Sequence, residues 1–230
     1  GSRFDKSGNG KEKLAHLILL AENNEGYQNL IKICSKAWTE GYYHRPRADH
    51  ELLEKYHEGL IVTSACVGGE VPQAILNGDM DEARKVIEFY INTFGKDNYF
   101  LEIQNHGLPE EAAVRPVLAS LAKEYGLGLV ATNDFHYTKK EDARSQEIKL
   151  CISTGKTLDD PYHFHFANDE FYCKSGDEMR AILGNFPGAI ENTRVIADRC
   201  NVELTFGEHK LPSFDVPEGE TAASYLRKLC

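Results

Sequence analysis

Four times between Leu14 and Ser153 a short apolar run is followed by a longer stretch with helical spacing. The runs are Leu14 to Ala21, Leu60 to Ala65, Tyr99 to Gln104 and Leu127 to Ala131. The helical stretches lie at about 23–40, at 71–76 and 81–94, at 109–125, and at 141–153. Local signals agree with these limits: an asparagine cap at Asn23 or Asn24, Pro109 in a first helical turn, and Gly41, Gly95 and Gly126 as stops. Strand then helix, repeated, predicts parallel pairing through right-handed crossovers and hence an α/β fold. In such sheets functional side chains gather at the carboxyl ends of strands. Cys66, His106, Asp134 and His136 fall just after strands and obey that rule, whereas His16 stands at the start of its own strand and breaks it. Four units are too few to close a barrel, so either the sheet is open or part of a barrel lies outside this chain.

Composition sets limits on function. The 230 residues, 41% hydrophobic and 27% charged, suit a soluble globular chain able to bury a sizeable core. No apolar run approaches the ~20 residues that span a bilayer and there is no signal peptide, so a cytoplasmic location and no membrane partner are expected. A net charge of −10 argues against a self-sufficient duplex-binding module, which is ordinarily basic, yet it is compatible with carboxylates holding a cation. The six cysteines are scattered without a C-x-x-C pair, which predicts reduced thiols. There is no P-loop, dinucleotide fingerprint or nucleophile elbow. TGKT at 154–157 lacks the upstream glycine of a P-loop and reads as structural.

Residues 1–13 read as a flexible lead-in, 14–202 as the main domain, and 203–230 as a linker that ends in an unfinished helix. Both ends read as cuts through a larger protein. The first helix is expected to bury Tyr27, Leu30, Ile31, Cys34 and Trp38. A short helix is expected after Asp49, a short strand over Glu170 to Lys174, and helices at about 177–183 and 187–199.

The chemistry concentrates in VATNDFHY (130–137), which starts as a buried strand and then sets down Asn133, Asp134 and His136. In an extended chain Asp134 and His136 leave the backbone on one side, roughly 7 Å apart. Two readings stand at this point. The pair is half of a metal site completed from neighbouring strands, or Asp134 caps the next helix and His136 is a half-buried loop residue. Cys66 and His16 divide in the same way, between metal ligands and a small buried thiol and a core histidine. A Cys, a His and an Asp-x-His on separate strands of one sheet are mixed donors of the type zinc accepts. His44, His50 and His57 read as exposed, and His163 and His165 as a solvated loop.

The segments HLILLAEN (16–23), EGYYHRPR (40–47), TSACVGGE (63–70), LEIQNHG (101–107), VATNDFHY (130–137), CISTGKTLDD (151–160) and LPSFDVPEGET (211–221) resemble, in order, landmarks of one family. It is the PHP (polymerase and histidinol phosphatase) domain of bacterial replicative DNA polymerase III alpha subunits. The resemblance implies a distorted seven-stranded (β/α) barrel, here lacking its first strands and followed by a linker towards the polymerase palm. It also implies a site for several metals that carries 3′–5′ exonuclease activity in some members. The family's ligand positions fall on His16, Cys66, Asp134 and His136, with Asp134 and His136 acting through metal-bound water. His106 and Asn133 are expected behind the ligands at most. The family's opening H-x-H strand, D-H-G turn and G-C-E segment, which supply further ligands, are not among these residues.

The implied cofactors are zinc or manganese in the PHP site and magnesium in a polymerase site outside the chain. The implied partners are DNA and the other holoenzyme subunits. On this reading the chain by itself retains metal weakly and does not turn over. Two other functions remain open, a scaffold bracing the polymerase and a stand-alone phosphoesterase, the latter opposed by the palm-ward linker.

Overall fold

The computed structural model describes residues 1–7, 14–208 and 212–230. Part of the expected lead-in (8–13) and part of the expected linker (209–211) therefore lie outside the described residues. In chain order the elements are β1 (Ile18–Ala21), α1 (Asn24–Thr39), α2 (His50–Lys55), β2 (Leu60–Thr63), α3 (Glu70–Leu76), α4 (Met80–Phe94), β3 (Tyr99–Ile103), α5 (Pro109–Tyr125), β4 (Gly128–Ala131), α6 (Ala143–Thr154), α7 (Gly176–Leu183), α8 (Glu191–Arg199) and α9 (Ala222–Leu229). The strands form one sheet in the order β1-β2-β3-β4.

The expected all-parallel pairing holds for β2-β3 and β3-β4 only; β1 runs antiparallel to β2, with Ile18 opposite Thr63 and Ala21 opposite Leu60. The cause is a long-range contact. α1 leads away from the end of β1, and the following chain returns to the same place before entering β2. There the Glu22 N–H donates to Gly59 O at 2.8 Å and Asn29 Nδ2 to Glu58 O at 3.0 Å. Gly26, in the first turn of α1, lies so close to Gly59 that a Cβ on it would stand 1.8 Å from the Gly59 carbonyl oxygen. A strand that starts beside the end of its predecessor has to run backwards along it.

One face of the sheet carries the main core. Val62, Leu101, Ile103 and Leu129 pack there against Ile33 of α1, Val86 and Tyr90 of α4, and Val114, Leu118 and Leu121 of α5. Apolar side chains at i, i+3, i+4 and i+7 along these helices explain their attachment. The opposite face is thinner: Ile61, Phe100 and Val130 are covered by Ile196 of α8, with Leu20 and Cys200 at the margin.

α1 turns a different stripe inward than its apolar residues suggest. Gly26, Asn29, Ile33 and Ala37 are buried, while Ile31, Cys34 and Trp38 are exposed and Trp38 stacks on Tyr42. The close approach to Gly59 sets the rotation, because only the Gly26 side of the helix lets the backbones meet. The expected strand at Glu170 to Lys174 is reduced to a single bridge between Tyr137 and Tyr172. Arg3, within the expected lead-in, is buried against Glu40, Asp49 and Glu51. TGKT closes a helix, with Gly155 in the left-handed conformation after α6. All six cysteines are free. Among the described residues no helix is long and apolar enough to cross a membrane.

Candidate metal centre

The reversal of β1 removes the misfit of His16. The start of an antiparallel strand lies at the same end of the sheet as the carboxyl ends of its parallel neighbours. His16 bridges to Gly69 just beyond β2, and its N–H donates to Gly68 O at 2.9 Å. Its ring Nδ1 comes to 3.2 Å from the Cys66 Sγ. Two glycines make the approach possible. A Cβ on Gly68 would sit 3.1 Å from the His16 Nδ1, and one on Gly69 would sit 2.0 Å from the Ser64 carbonyl oxygen. Ala65 holds a positive φ of 60° in the turn that presents Cys66, a conformation that costs free energy away from glycine.

Burial pushes the Cys66 thiol above its ordinary value and the charges of Asp134 and Glu102 add to this, while the Gly68 N–H, 3.4 Å from Sγ, works the other way. The thiol must lose its proton to become a ligand, so metal uptake there is coupled to proton release.

VATNDFHY is not one strand: β4 ends at Ala131, and the Phe135 N–H bonds back to Asn133 O at 2.7 Å in a tight turn. The turn brings the His136 Nδ1 to 3.9 Å from an Asp134 carboxylate oxygen and 3.0 Å from the Asp134 carbonyl, closer than an extended chain allows. Asp134 does not cap the helix that follows. Both side chains are about two-fifths exposed and reachable from solvent.

Behind this turn lies a buried chain of contacts. The His106 Nδ1 meets Glu111 Oε1 at 2.7 Å, its backbone N–H donates to Glu111 Oε2 at 2.6 Å, and its Nε2 meets Asn133 Oδ1 at 3.2 Å. Asn133 Nδ2 donates to Tyr172 O at 2.8 Å. The His106 ring lies flat on Phe171 at 4.6 Å, and Phe171 and Phe166 in turn flank His136. Both residues expected behind the ligands are thus connected to the loop that carries Asp134 and His136.

Two donor pairs stand at one end of the sheet, His16 with Cys66 and Asp134 with His136. In kind they suit zinc, which accepts imidazole, thiolate and carboxylate together. In number they fall short: among the described residues no group of three His, Cys, Asp or Glu side chains is gathered closely enough to hold a metal ion.

Other sequence expectations sort readily. His50 is half-buried rather than exposed, bonded through Nε2 to both Glu70 oxygens and stacked on Phe89 at 4.0 Å. Tyr90 donates to the same Glu70 at 2.6 Å. His163 is held by Glu147 at 2.8 Å and does not join the centre. Sequence reasoning passed over Glu102 and Glu111, both buried. The available signal for Glu102 was a carboxylate in the otherwise apolar strand YFLEI, every residue of which is buried.

Residues 2–106 match the family described as PHP domain. Over 99% of its length the chain is 48% identical to the DNA polymerase III subunit alpha of Thermus aquaticus, 46% to that of Deinococcus radiodurans and 44% to that of Treponema pallidum. It covers 19%, 18% and 20% of those relatives respectively, and so spans about a fifth of their length.

Proposed function

We propose, from the premise that this chain is a PHP-domain relative of the DNA polymerase III alpha subunits, that it contributes part of a divalent-metal phosphodiesterase centre to a DNA-directed DNA polymerase. One observation carries the reading. An imidazole from the start of β1 meets a thiol from the loop after β2, and Asp134 and His136 follow β4 at the same end of the sheet. His16, Cys66, Asp134 and His136 are the residues that would hold the ion, zinc or manganese. A bound ion supplies a Lewis acid for a phosphoryl oxygen and an activated water. The chain's own part is to orient donors: the glycines beside Cys66 admit the His16 ring, and Glu111, His106 and Asn133 fix the turn under Asp134.

In the whole polymerase this centre acts as a 3′–5′ exonuclease on DNA, beside a magnesium-dependent nucleotidyl-transfer site elsewhere in the subunit. The other holoenzyme subunits are its partners and the cytoplasm its location. The four-stranded sheet is then part of a distorted seven-stranded (β/α) barrel, and residues 203–230 lead towards the palm.

The shortfall of donors favours a second reading, a scaffold whose buried polar network braces the polymerase. Asp134→Asn in the full-length subunit separates the two. On the first reading, release of 3′ nucleotides from labelled DNA and bound zinc or manganese both fall by more than about tenfold while polymerisation persists. A lower melting temperature with nuclease and metal content unchanged establishes the scaffold instead.

A further inference from the structure

The thin face of the sheet is built in two layers. Ile61, Phe100 and Val130 form the apolar layer under Ile196. Two residues further along come Thr63 in β2, Glu102 in β3 and Thr132 just past β4, whose N–H still donates to Ile103 O at 3.1 Å, and the alternation places all three on that same face. Glu102 is 6% exposed. Its carboxylate accepts from the Thr63 hydroxyl on one side, from the Thr132 hydroxyl on the other, and from Gln104 Nε2 at 2.8 Å. Its backbone N–H donates to the Ser64 hydroxyl at 2.8 Å. All of these partners are neutral. A carboxylate is costly to bury without a cation, and a strand position that served packing alone would be better filled by an apolar side chain.

The clasp stands on the chain just before two of the donors. Thr63 precedes Cys66 by three residues and Thr132 precedes Asp134 by two. Glu102 therefore joins β3 to the last residue of β2 and to the first residue after β4, where each neighbour leaves the sheet for the loop that carries its donor.

We infer that Glu102 is a positioning residue for the metal centre, its buried carboxylate tying Thr63 to Thr132 and so fixing the separation of the His16/Cys66 and Asp134/His136 pairs. The inference rests on the metal-centre reading above. It assigns Glu102 no contact with the metal or the substrate. Its effect passes through two threonines into the backbone that carries the ligands, as partners behind metal ligands do elsewhere.

The test titrates the purified full-length subunit with Co²⁺ and follows the thiolate-to-cobalt charge-transfer absorption, with melting curves of the metal-free proteins confirming that each is folded at the assay temperature. The wild type is expected to show a band that Cys66→Ser removes. Glu102→Ala and the double variant Thr63→Val/Thr132→Val are expected to bind cobalt about tenfold to a hundredfold more weakly. Glu102→Gln, which keeps the shape and can bond to both hydroxyls, is expected to stay near the wild type. Should Glu102→Ala fail to fold, the double variant, nearly isosteric with threonine, decides. A Cys66-dependent band with wild-type affinity in the double variant overturns the positioning role and leaves the metal centre standing. A wild type with no Cys66-dependent band overturns both.

Discussion

Glu111 accepts two hydrogen bonds from His106, one from the ring and one from the backbone, in a site where it is almost fully buried. Burial by itself would push its carboxyl upward, but the bonds and charge of His106 outweigh that and hold it below the ordinary 4.5. A carboxyl depressed on folding binds fewer protons in the native state, so its contribution is present above the ordinary value and lost as pH falls below it. Glu70, held down by His50 and Tyr90 against its own burial, acts in the same direction. Stability to urea is therefore expected to decline from pH 5 towards pH 3. Glu111→Gln should cost about 1.5–3 kcal/mol at pH 7 and flatten the slope on the acid side. A slope as steep in the variant as in the wild type would show that other carboxyls govern it. Residues of this kind are the least legible in a sequence. His16, Cys66, Asp134 and His136 could be picked out because His, Cys and Asp-x-His beside apolar runs are unusual in themselves. Glu102 announces itself only as a carboxylate in an apolar strand, and its role does not show there, because its partners are threonines 39 and 30 residues away that strand register alone brings to it.

At the scale of elements, the sequence predicts the three later strands and the helices between them, since periodicity and caps are local. Asn23, Asp49 and Ser175 each accept from a first-turn N–H, as their residue types lead one to expect. The direction of β1 and the inward face of α1 are not local properties. Both follow from the meeting of Gly26 with Gly59, and an early glycine in a helix is weak evidence of such a contact. The consequence is measurable. Alanine in place of glycine inside a helix ordinarily gains up to about 1 kcal/mol. At Gly26 the added methyl would meet the Gly59 carbonyl, and Gly59 itself stands at φ 69°, so the pair has little room to relax. Gly26→Ala is expected to destabilise by about 1–3 kcal/mol. Gly176→Ala, at a helical position with open space around it, is expected to be neutral or mildly stabilising. Equal urea midpoints for the two variants would sink the claim that this contact directs β1.

For the molecule as a whole, the PHP match ends at residue 106 but the packing continues beyond it. Val114, Leu118, Leu183 and Ala189 belong to the same core as Val62 and Leu101. The segment that follows α7 then runs across the sheet from its last strand to its first. Ala131 N–H donates to Ala189 O at 2.9 Å and Asn192 Nδ2 to Leu129 O at 2.7 Å, which covers the open edge of β4. Arg199 reaches Glu22 at 2.9 Å, just past β1, and Asn201 N–H donates to Glu22 O at 2.8 Å. Between these anchors Ile196 fills the thin face beneath the Glu102 clasp. A chain tied in this way should unfold in one step, because β4 cannot leave without exposing the face that β2 and β3 share. Ile196→Ala is expected to lower stability by about 2–5 kcal/mol, read as a shift in the urea midpoint at unchanged slope. Val195→Ala, on the exposed side of the same turn, should barely register. If Ile196→Ala instead splits the transition in two, α8 is an appended lid rather than the second wall of the domain. The layer of Thr63, Glu102 and Thr132 would then rest on the β2–β3 and β3–β4 hydrogen bonds alone.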